Sequence, residues 1–487
     1  MDLALFFFYF VFVVFLLRKN QFFRLPFLKG WSFEIVLIVK VAIAVFFVYY
    51  PTSYLFDSPI FLDESKLLSR VFYDSPVDFF KLLTGIGENE ELVYRYLIET
   101  IHWTQQPDNL FNDSKNLIRF NAILDILSFG NIFVNFLFIS LITLVGLKAI
   151  YDTIIDLTNH ENWFLFALIF LLPSTILWTS AIMKEPYLIL GIGFFLKGVW
   201  GHTSKANRIW LLAVAVFFLI AFKPYVLVCL LLAVIVYFIY LKVPTKKFLW
   251  SASVVIVLSA LTFGSTFLLS RNFTEIISKK QFNFINLTEG GIWILTDSCM
   301  IVVPKSEEYK FDFFIENKNR YGFLNEATEG EIRRDGVPHQ KVNLYPDTTK
   351  LYIFHFVDPS GSLIQITPIN KSHAQLLKNI PEAVFNTFVR PLPNDPPAKI
   401  EKWYFVIENW VLIGLLVWGV SKRKTLSVKF QSLLCALSVF MLFLALMIGW
   451  VTPVLGAIIR YKMPIIFALI MIIWILLFSH QTKTKNA

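Results

Sequence analysis

Four basic residues, Lys184, Lys223, Arg390 and Arg460, lie at the ends of apolar segments of this chain. Other charges orient these segments so that all four residues are expected at the outer membrane face. Membrane insertion normally leaves Lys and Arg on the cytoplasmic side. Cations kept at the outer face therefore suggest a fixed anionic ligand, and the commonest such ligand there is a lipid-linked phosphate.

Lys184 stands next to a carboxylate at a predicted helix end. It is followed by Glu185 and Pro186, and Pro173 lies earlier in the same apolar segment, where it can break the helix. Lys184 would hold the phosphate, while Glu185 would orient it or act as a base. The alternative is an interfacial anchor pair that closes a tight helix turn.

The other three cations lie in short motifs of their own. Arg390 precedes Pro391, and its planar guanidinium suits bidentate phosphate binding. Arg460 lies in a short loop before the last apolar segment. Lys223 caps a hairpin of two short apolar segments, where membrane proteins place half-buried sites. Contact with lipid headgroups is the alternative for each Arg, and a structural turn residue is the alternative for Lys223.

A carboxylate is also expected near the acceptor hydroxyl of any transfer from a phosphate carrier, either to accept its proton or to bind a metal. The outer segment 51–130 must supply it. Asp63 lies near the start of a predicted helix and is our candidate, although it could be a plain N-cap. The candidate acids in this segment are Asp57, Asp63, Glu64, Asp74 and Asp78.

Other polar residues give weaker signals. Lys40 lies deep in an apolar segment and is costly there unless paired or facing a cavity. Its spacing from Glu34 does not favour a local pair on one helix face. His102 shows no metal-ligand spacing and is predicted to be a surface residue. The sequence predicts no cofactor and no metal ligands, and leaves open a divalent metal at the acid.

The composition identifies the class of protein that positions these residues. Of 487 residues, 56% are hydrophobic and only 16% are charged, against about 25% charged in soluble proteins. We therefore predict an all-α polytopic membrane protein with amphipathic helices and a small β-rich subdomain in its outer loops. The net charge of +9 does not indicate nucleic-acid binding, because the basic residues concentrate in short loops.

About eleven apolar segments are long enough, or nearly so, to cross a bilayer. Basic clusters near 18–29, 205–208, 242–247, 422–429 and 483–485 share one side if 209–241 is a hairpin. This places the N-terminus outside and the C-terminus in the cytoplasm. The predicted spans are 2–18, 31–50, 131–150, 162–182, 186–200, 209–222, 225–241, 249–269, 403–420, 431–450 and 463–479.

These spans divide the chain into five regions: 1–50 with two spans, outer loop 51–130, 131–269 with spans three to eight, outer loop 270–402, and 403–487 with the last three. The first outer loop reads as amphipathic helices, and its residues 63–72 fit a helix lying on the membrane. The second holds a β-rich insert at about 290–370, with strands at 350–357 and 362–367 and a hairpin at Asp335-Gly336. An amphipathic helix at 372–388 follows.

Several short motifs resemble those of bacterial membrane proteins from polysaccharide gene clusters. Such elements read "PS…W…KE", "P-x-A…RP…EN" and "G…RY". The matching residues here are Pro173, Ser174, Trp178, Lys184, Glu185; Pro381, Ala383, Arg390, Pro391, Glu408, Asn409; and Gly456, Arg460, Tyr461, with Gln281 and Ser362 as further matches. The chain is thus similar to O-antigen or exopolysaccharide polymerases and GT-C-type glycosyltransferases.

This resemblance implies an inner-membrane glycosyltransferase or polymerase that uses polyprenyl-(pyro)phosphate-linked sugars at the periplasmic face of a bacterial inner membrane. Its expected partners are the lipid-linked glycan, membrane lipid and, through 270–402, another protein. Two alternatives are a lipid-linked glycan transporter or flippase, and a non-enzymatic subunit of an envelope assembly or secretion complex. The chain lacks the clear acidic motif that GT-C enzymes usually carry in their first outer loop.

Overall fold

The computed structural model describes residues 2–25, 30–49, 58–104, 112–264, 272–295, 300–316, 319–334, 337–397, 401–422 and 425–479. The chain is mostly helical and carries a small antiparallel sheet. It divides into two compact units, one of residues 1–245, 410–441 and 463–487 and one of residues 246–409 and 442–462. Asp57, Asp335-Gly336, the 483–485 cluster and parts of the 18–29 and 422–429 clusters lie outside the described residues.

The first thirteen helices belong to the first unit. Their bounds are α1 Asp2–Lys19, α2 Ser32–Tyr49, α3 Ser58–Asp74, α4 Pro76–Thr84, α5 Glu90–Leu97, α6 Ile101–Thr104, α7 Asp113–Leu127, α8 Ile132–Thr158, α9 Trp163–Phe170, α10 Pro173–Trp178, α11 Glu185–Trp200, α12 Lys205–Phe222 and α13 Pro224–Lys242.

The remaining elements follow in chain order, and α21 together with residues 410–422 of α18 and 428–441 of α19 belongs to the first unit. They are α14 Lys247–Gly264, α15 Phe273–Glu289, β1 Gly291–Leu295, β2 Met300–Val303, β3 Phe311–Glu316, β4 Asn319–Leu324, β5 Thr328–Arg334, β6 Val337–Leu344, β7 Asp347–Val357, α16 His373–Lys378, α17 Ile380–Phe388, α18 Glu401–Lys422, α19 Val428–Val451, α20 Leu455–Tyr461 and α21 Met463–Phe478.

Five helices within the described ranges are long and apolar enough to cross a membrane: α8, α12, α13, α18 and α19. The pair α20 and α21 gives a sixth if it is one span bent by 50°. Helices occur at all eleven predicted positions, and among the described residues five of them, or six with the bent pair, are candidate spans by length and composition. The predicted span 162–182 is two short helices, α9 and α10, and the second begins at Pro173. The mostly helical fold with several candidate spans is therefore confirmed, and the number of eleven spans is not.

Glycines set the spacing between α8 and α11. A Cβ atom added to Gly193 would lie 2.2 Å from the carbonyl oxygen of Gly146, and one on Gly146 would lie 2.7 Å from the backbone of Leu190. Small residues allow helix backbones to approach this closely in membrane proteins. The first unit thus has a tightly packed centre from which the N-terminus of α11 positions Lys184.

Helices α3 to α7, in the segment predicted to be the first outer loop, share a hydrophobic core. Leu68 and Val71 of α3 are buried, and Leu67 and Phe72 are partly buried in the same cluster. That cluster includes residues of α4, α5, α7, α8, α11 and α12. The apolar side of α3 therefore packs against other helices of the protein, which corrects the prediction that it lies on the membrane.

The sheet has the strand order β3-β4-β7-β1-β2-β5-β6, and every pairing between neighbours is antiparallel. The predicted strand 350–357 is confirmed within β7, and β5 pairs with β6 as the predicted hairpin requires. The predicted strand 362–367 is wrong. Both edges of β7 are already occupied, by β1 and β4, and Leu363 instead forms an isolated bridge with Val454.

The first and last strands of the sheet, β1 and β7, lie side by side, and Gly290 directly precedes β1. Gly291 of β1 pairs with Val357 at the end of β7. Gly290 has a φ of 69°, and a Cβ atom there would lie 2.6 Å from the Val357 carbonyl oxygen. Glycine fits this left-handed, crowded position because it has no Cβ atom.

Candidate functional site

Two of the four predicted cations contact one carboxylate in the first unit. The Nζ atom of Lys184 lies 2.9 Å from Oδ1 of Asp113, and that of Lys223 lies 3.3 Å from Oδ2. Lys184 also donates to the hydroxyl of Ser114 at 3.0 Å. We call Asp113, Lys184 and Lys223 the outer triad.

Helix ends position all three members of the outer triad. Asp113 is the first residue of α7, whose N-cap Asn112 accepts bonds from the amides of Ser114 and Lys115. Lys184 is the N-cap of α11, and Lys223 joins α12 to α13 with φ −146°. The break before Pro224 thus turns the chain back and leaves the Lys223 side chain only 10% exposed.

Charge dominates the chemistry of the outer triad. Burial raises the pKa of the Asp113 carboxyl, but the charges and hydrogen bonds of Lys184 and Lys223 outweigh burial and lower its pKa to about 2. The carboxylate is therefore ionised at neutral pH. Two ammonium groups around one carboxylate form a site that also suits the oxygens of a phosphate.

Aromatic and imidazole groups surround the outer triad. Lys184 Nζ lies 5.8 Å from the ring centre of Phe61, and that ring stacks on His102 with 5.2 Å between centres. His102 Nδ1 lies 2.9 Å from Oε2 of Glu64. The His102 side chain is only 12% exposed, so the prediction of a surface residue is wrong. Its carboxylate partner lies on another helix, which spacing along the chain does not reveal.

The two predicted catalytic acids occupy different environments. Asp63 lies inside α3, five residues after its start at Ser58, and is exposed. It is therefore no N-cap. Glu185 is buried at the first position of α11. The carboxylate between the two lysines is that of Asp113. Asp113 lies in the predicted outer segment, but the sequence did not indicate it as a candidate acid.

A capping signature marks Asp113 in the sequence. Asn112-Asp113-Ser114 directly precedes the helical pattern of α7, and such residues favour a helix start. That signature predicts where the helix begins, whereas the pairing with Lys184 and Lys223 depends on helix packing. Of the other acids weighed, Asp78 pairs with Lys81 at 3.0 Å, and Asp74 is exposed at the end of α3.

Arg390 belongs to the second unit and is held within its own loop. Its Nη1 pairs with the Asp395 carboxylate, and its Nε donates to Asn386 Oδ1 at 3.0 Å. Asp395 Oδ2 also accepts the backbone N–H of Leu392 at 2.7 Å. A phosphate at Arg390 would bind beside Asp395 or compete with it.

Lys462 fixes the same loop from another helix junction. Its Nζ donates to the Arg390 carbonyl oxygen at 2.8 Å and to Asn409 Oδ1 at 3.0 Å. The amide nitrogen of Asn409 donates to the carbonyls of Phe388 and Val389 at 3.1 and 3.0 Å. The Asn of the "EN" element therefore caps the end of α17, directly before Arg390.

Arg460 lies on α20 in the second unit. Its Nη2 donates to the hydroxyl of Tyr461 at 3.2 Å, and its guanidinium lies 5.0 Å from the same ring. The two residues of the "RY" element thus contact each other. The four predicted phosphate-binding cations are divided between the units, with Lys184 and Lys223 in the first and Arg390 and Arg460 in the second.

The residues behind the resemblance also meet within the second unit. Ala383 of the "P-x-A" element packs so closely on α19 that a Cβ atom on Gly449 would lie 2.1 Å from the Ala383 carbonyl oxygen. Gln281 donates to the carbonyls of Thr367 and Trp450 and accepts the N–H of Ile369 at 2.8 Å. These residues build the frame around the Arg390 loop.

Lys40 has a separate buried environment in the first unit. Its Nζ donates to the hydroxyls of Thr179 and Ser180. Glu34 pairs instead with Arg18 at 3.0 Å. Lys40 and Glu34 do not pair with each other. This agrees with their spacing, which places them on different faces of the helix.

Within the described ranges, no group of three or more His, Cys, Asp and Glu side chains has the arrangement of a metal site. Comparisons with protein-family models, with curated proteins and with solved structures found no match to the chain. Its function has to be inferred from its own residues.

Proposed function

We propose that this chain is an inner-membrane glycosyltransferase or polysaccharide polymerase that uses polyprenyl-(pyro)phosphate-linked sugars at the periplasmic face. The observation that carries the proposal is the outer triad, in which Lys184 and Lys223 converge on one carboxylate. Two ammonium groups held by separate helix ends suit a phosphate whose negative charge grows as the sugar leaves it.

The proposal includes an orientation. Eleven spans, with the N-terminus in the periplasm and the C-terminus in the cytoplasm, put the loops that hold the four cations outside. The helices at the predicted positions and the basic loop clusters support this arrangement. The short helices α9 and α10 would form one broken span.

The cations have distinct proposed roles. Lys184 and Lys223 bind the carrier phosphate. Arg390 and Arg460, which belong to the second unit, also bind phosphate groups. Asp63 and Glu185 are the acids that the sequence predicts for activating the acceptor hydroxyl. Two lysines converge on one carboxylate, whereas Arg390 pairs with an acid of its own loop, so the lysine pair is the first part of the proposal to test.

A binding experiment tests the lysine pair. Full-length protein in lipid nanodiscs is titrated with C55 polyprenyl phosphate and, in parallel, with the uncharged C55 polyprenol. We expect Lys184→Gln and Lys223→Gln each to weaken phosphate binding about 10- to 100-fold, because each removes a charge-assisted hydrogen bond. Polyprenol binding should be unchanged. Lys81→Gln, which alters a 41% exposed lysine paired with Asp78, is the matched control.

Equal affinity for the phosphate and the alcohol, or normal phosphate binding by both lysine variants, would refute the proposal. A second measurement separates an enzyme from a flippase. In cells that carry the Lys184→Gln, Lys223→Gln double variant, an enzyme defect leaves lipid-linked sugar in the periplasmic leaflet. A flippase defect leaves it in the cytoplasmic leaflet.

A further inference from the structure

Glu64 and His102 form a contact of the kind that orients a catalytic imidazole. His102 Nδ1 lies 2.9 Å from Glu64 Oε2, and the His102 backbone N–H points to Oε1 at 3.4 Å. Glu64 is only 4% exposed. In the neutral imidazole that donates its Nδ1 proton to this carboxylate, Nε2 is the acceptor nitrogen.

This imidazole lies beside the outer triad. Phe61 stacks on His102 with an angle of 28° between the rings, and Lys184 Nζ lies 5.8 Å from the centre of the same Phe61 ring. The Phe61 ring therefore lies next to both the imidazole and a proposed phosphate-binding cation. A general base must lie close to the phosphate-bound sugar in this way, because the acceptor attacks the carbon that the phosphate leaves.

Other charged groups near α6 are engaged elsewhere. Trp103, next to His102, lies under Lys115 and Arg119 of α7, with 5.3 and 5.7 Å to its ring centre. Both cations pair with Glu88, at 3.8 and 2.9 Å. Glu64 is thus an acid in contact with the imidazole, and Lys184 of the outer triad lies over the same Phe61 ring.

We propose that His102 is the base that activates the acceptor hydroxyl and that Glu64 is its positioning residue. This inference rests on the proposed transferase function. His102 Nε2 takes the proton of the acceptor O–H, and the oxygen pair forms the new bond to the anomeric carbon. The bond from that carbon to the phosphate oxygen breaks, and its electron pair leaves with the phosphate, which Lys184 and Lys223 hold.

The test is a transfer assay. Membranes from a deletion strain that carries full-length variants are supplied with radiolabelled nucleotide sugars, and label passing from lipid into polymer is measured. We expect His102→Asn to lower transfer at least 100-fold, in line with the usual contribution of a general base. Its side-chain amide can still donate to Glu64, so the fold should be retained. His202→Gln, at a 74% exposed histidine, is the control.

Binding separates this inference from the proposed function. His102→Asn should bind C55 polyprenyl phosphate in nanodiscs within twofold of the unaltered protein. Normal transfer by this variant would overturn the role of His102, while loss of phosphate binding in the lysine variants would still support the transferase. Normal phosphate binding by both lysine variants would instead refute the proposed function.

The pH dependence gives a readout that a structural role would not change. Transfer by the unaltered protein should fall as the pH drops, because a protonated imidazole cannot accept the proton, and imidazoles change charge between about pH 5 and 8. Glu64→Gln should move this acidic limb, and Glu64→Asp should move it less. Glu91→Gln, at an 81% exposed glutamate, should leave it in place.

The two Glu64 variants, Glu64→Gln and Glu64→Asp, still test the proposal if His102→Asn does not fold. If folded Glu64→Gln keeps the acidic limb of the pH profile in place, the pairing of Glu64 with the base is overturned. Loss of that limb in Glu185→Gln or Asp63→Asn would instead assign the base to one of those acids.

Discussion

Lys184 and Lys223 donate to different oxygens of a single carboxylate, that of Asp113, although α11 and α12 separate the two lysines in the chain. Asp113 thus lies where two ammonium groups would also hold a phosphate. Carboxylate and phosphate should compete for this place. Electrostatics in the outer triad then determines both anion affinity and local stability.

Asp113→Asn should bind C55 polyprenyl phosphate more tightly than the unaltered protein, by about 3- to 10-fold. The substitution removes a negative charge that repels the ligand and competes for the lysines, and an effect of this size is typical of one partly exposed charge. The same nanodisc titration measures it, with Glu91→Gln as control. Weaker binding would show that Asp113 mainly positions the lysines.

Asp113 should also make stability depend on acidic pH. Its pKa is about 2 in the folded protein and about 3.9 in an unfolded chain. The stabilisation is therefore present above pH 4 and is lost as the pH falls through 2. Because the side chain is 35% exposed, screening reduces its contribution to about 1 kcal/mol.

Thermal unfolding in one detergent, followed from pH 6 towards pH 2, measures this contribution. The difference between the unaltered protein and Asp113→Asn should be constant above pH 4 and shrink below it. A difference that grows on acidification would have the wrong sign for a depressed carboxyl pKa.

Arg460→Ala should abolish glycan extension in cells while the protein remains inserted in the membrane. The substitution removes the guanidinium that donates to the Tyr461 hydroxyl and lies over the same ring, and with it the charge proposed to hold phosphate. Arg460→Lys should retain part of the activity, because it keeps the charge but loses the fork. Polysaccharide of normal length in the Ala variant would remove Arg460 from the proposed mechanism.

Gly449→Ala should destabilise the protein by about 2–3 kcal/mol, a cost typical of overpacking. The added methyl group would meet the backbone of Ala383, which a side-chain rotation cannot relieve. Gly414→Ala is the matched control, because nothing lies within 4 Å of its Cβ position. That substitution should be neutral or slightly stabilising, since Ala favours helix over Gly. Equal melting temperatures for the two variants would contradict the close packing of α17 on α19.

Lys462 and Asn409 should behave as one unit. Lys462→Met leaves the Arg390 carbonyl without its donor, and Asn409→Ala removes two caps from the end of α17. Each should cost about 1–3 kcal/mol. The double variant should cost less than their sum, by at least about 0.5 kcal/mol, because both contacts hold the same loop. Additive losses in thermal unfolding would show that the two residues act separately.

The membrane class was predictable because it depends on composition and on segment length. Helices occur at every predicted span, but α9 and α10 show why the number of spans does not follow. An apolar stretch that contains Pro173 predicts hydrophobic burial without fixing a continuous helix. The extra strand at 362–367 failed for a similar reason, because β-like alternation does not reveal that both edges of β7 are occupied.

The candidate site was predictable only in part. Lys184 and Lys223 were visible because cations at helix ends predicted to be outer break the charge bias. Asp113 and His102 were not, since each is defined by a partner on a helix far away in the chain. Local sequence signals the start of α7, whereas tertiary packing decides which side chains meet there.

The meeting of the sheet's first and last strands at Gly290 has an evolutionary consequence. Because Gly291 and Val357 are paired neighbours, the chain enters and leaves the sheet at almost the same point. The whole sheet is therefore a single insertion between α15 and the segment that follows β7. Its loss or replacement would leave the two points that it joins as near neighbours.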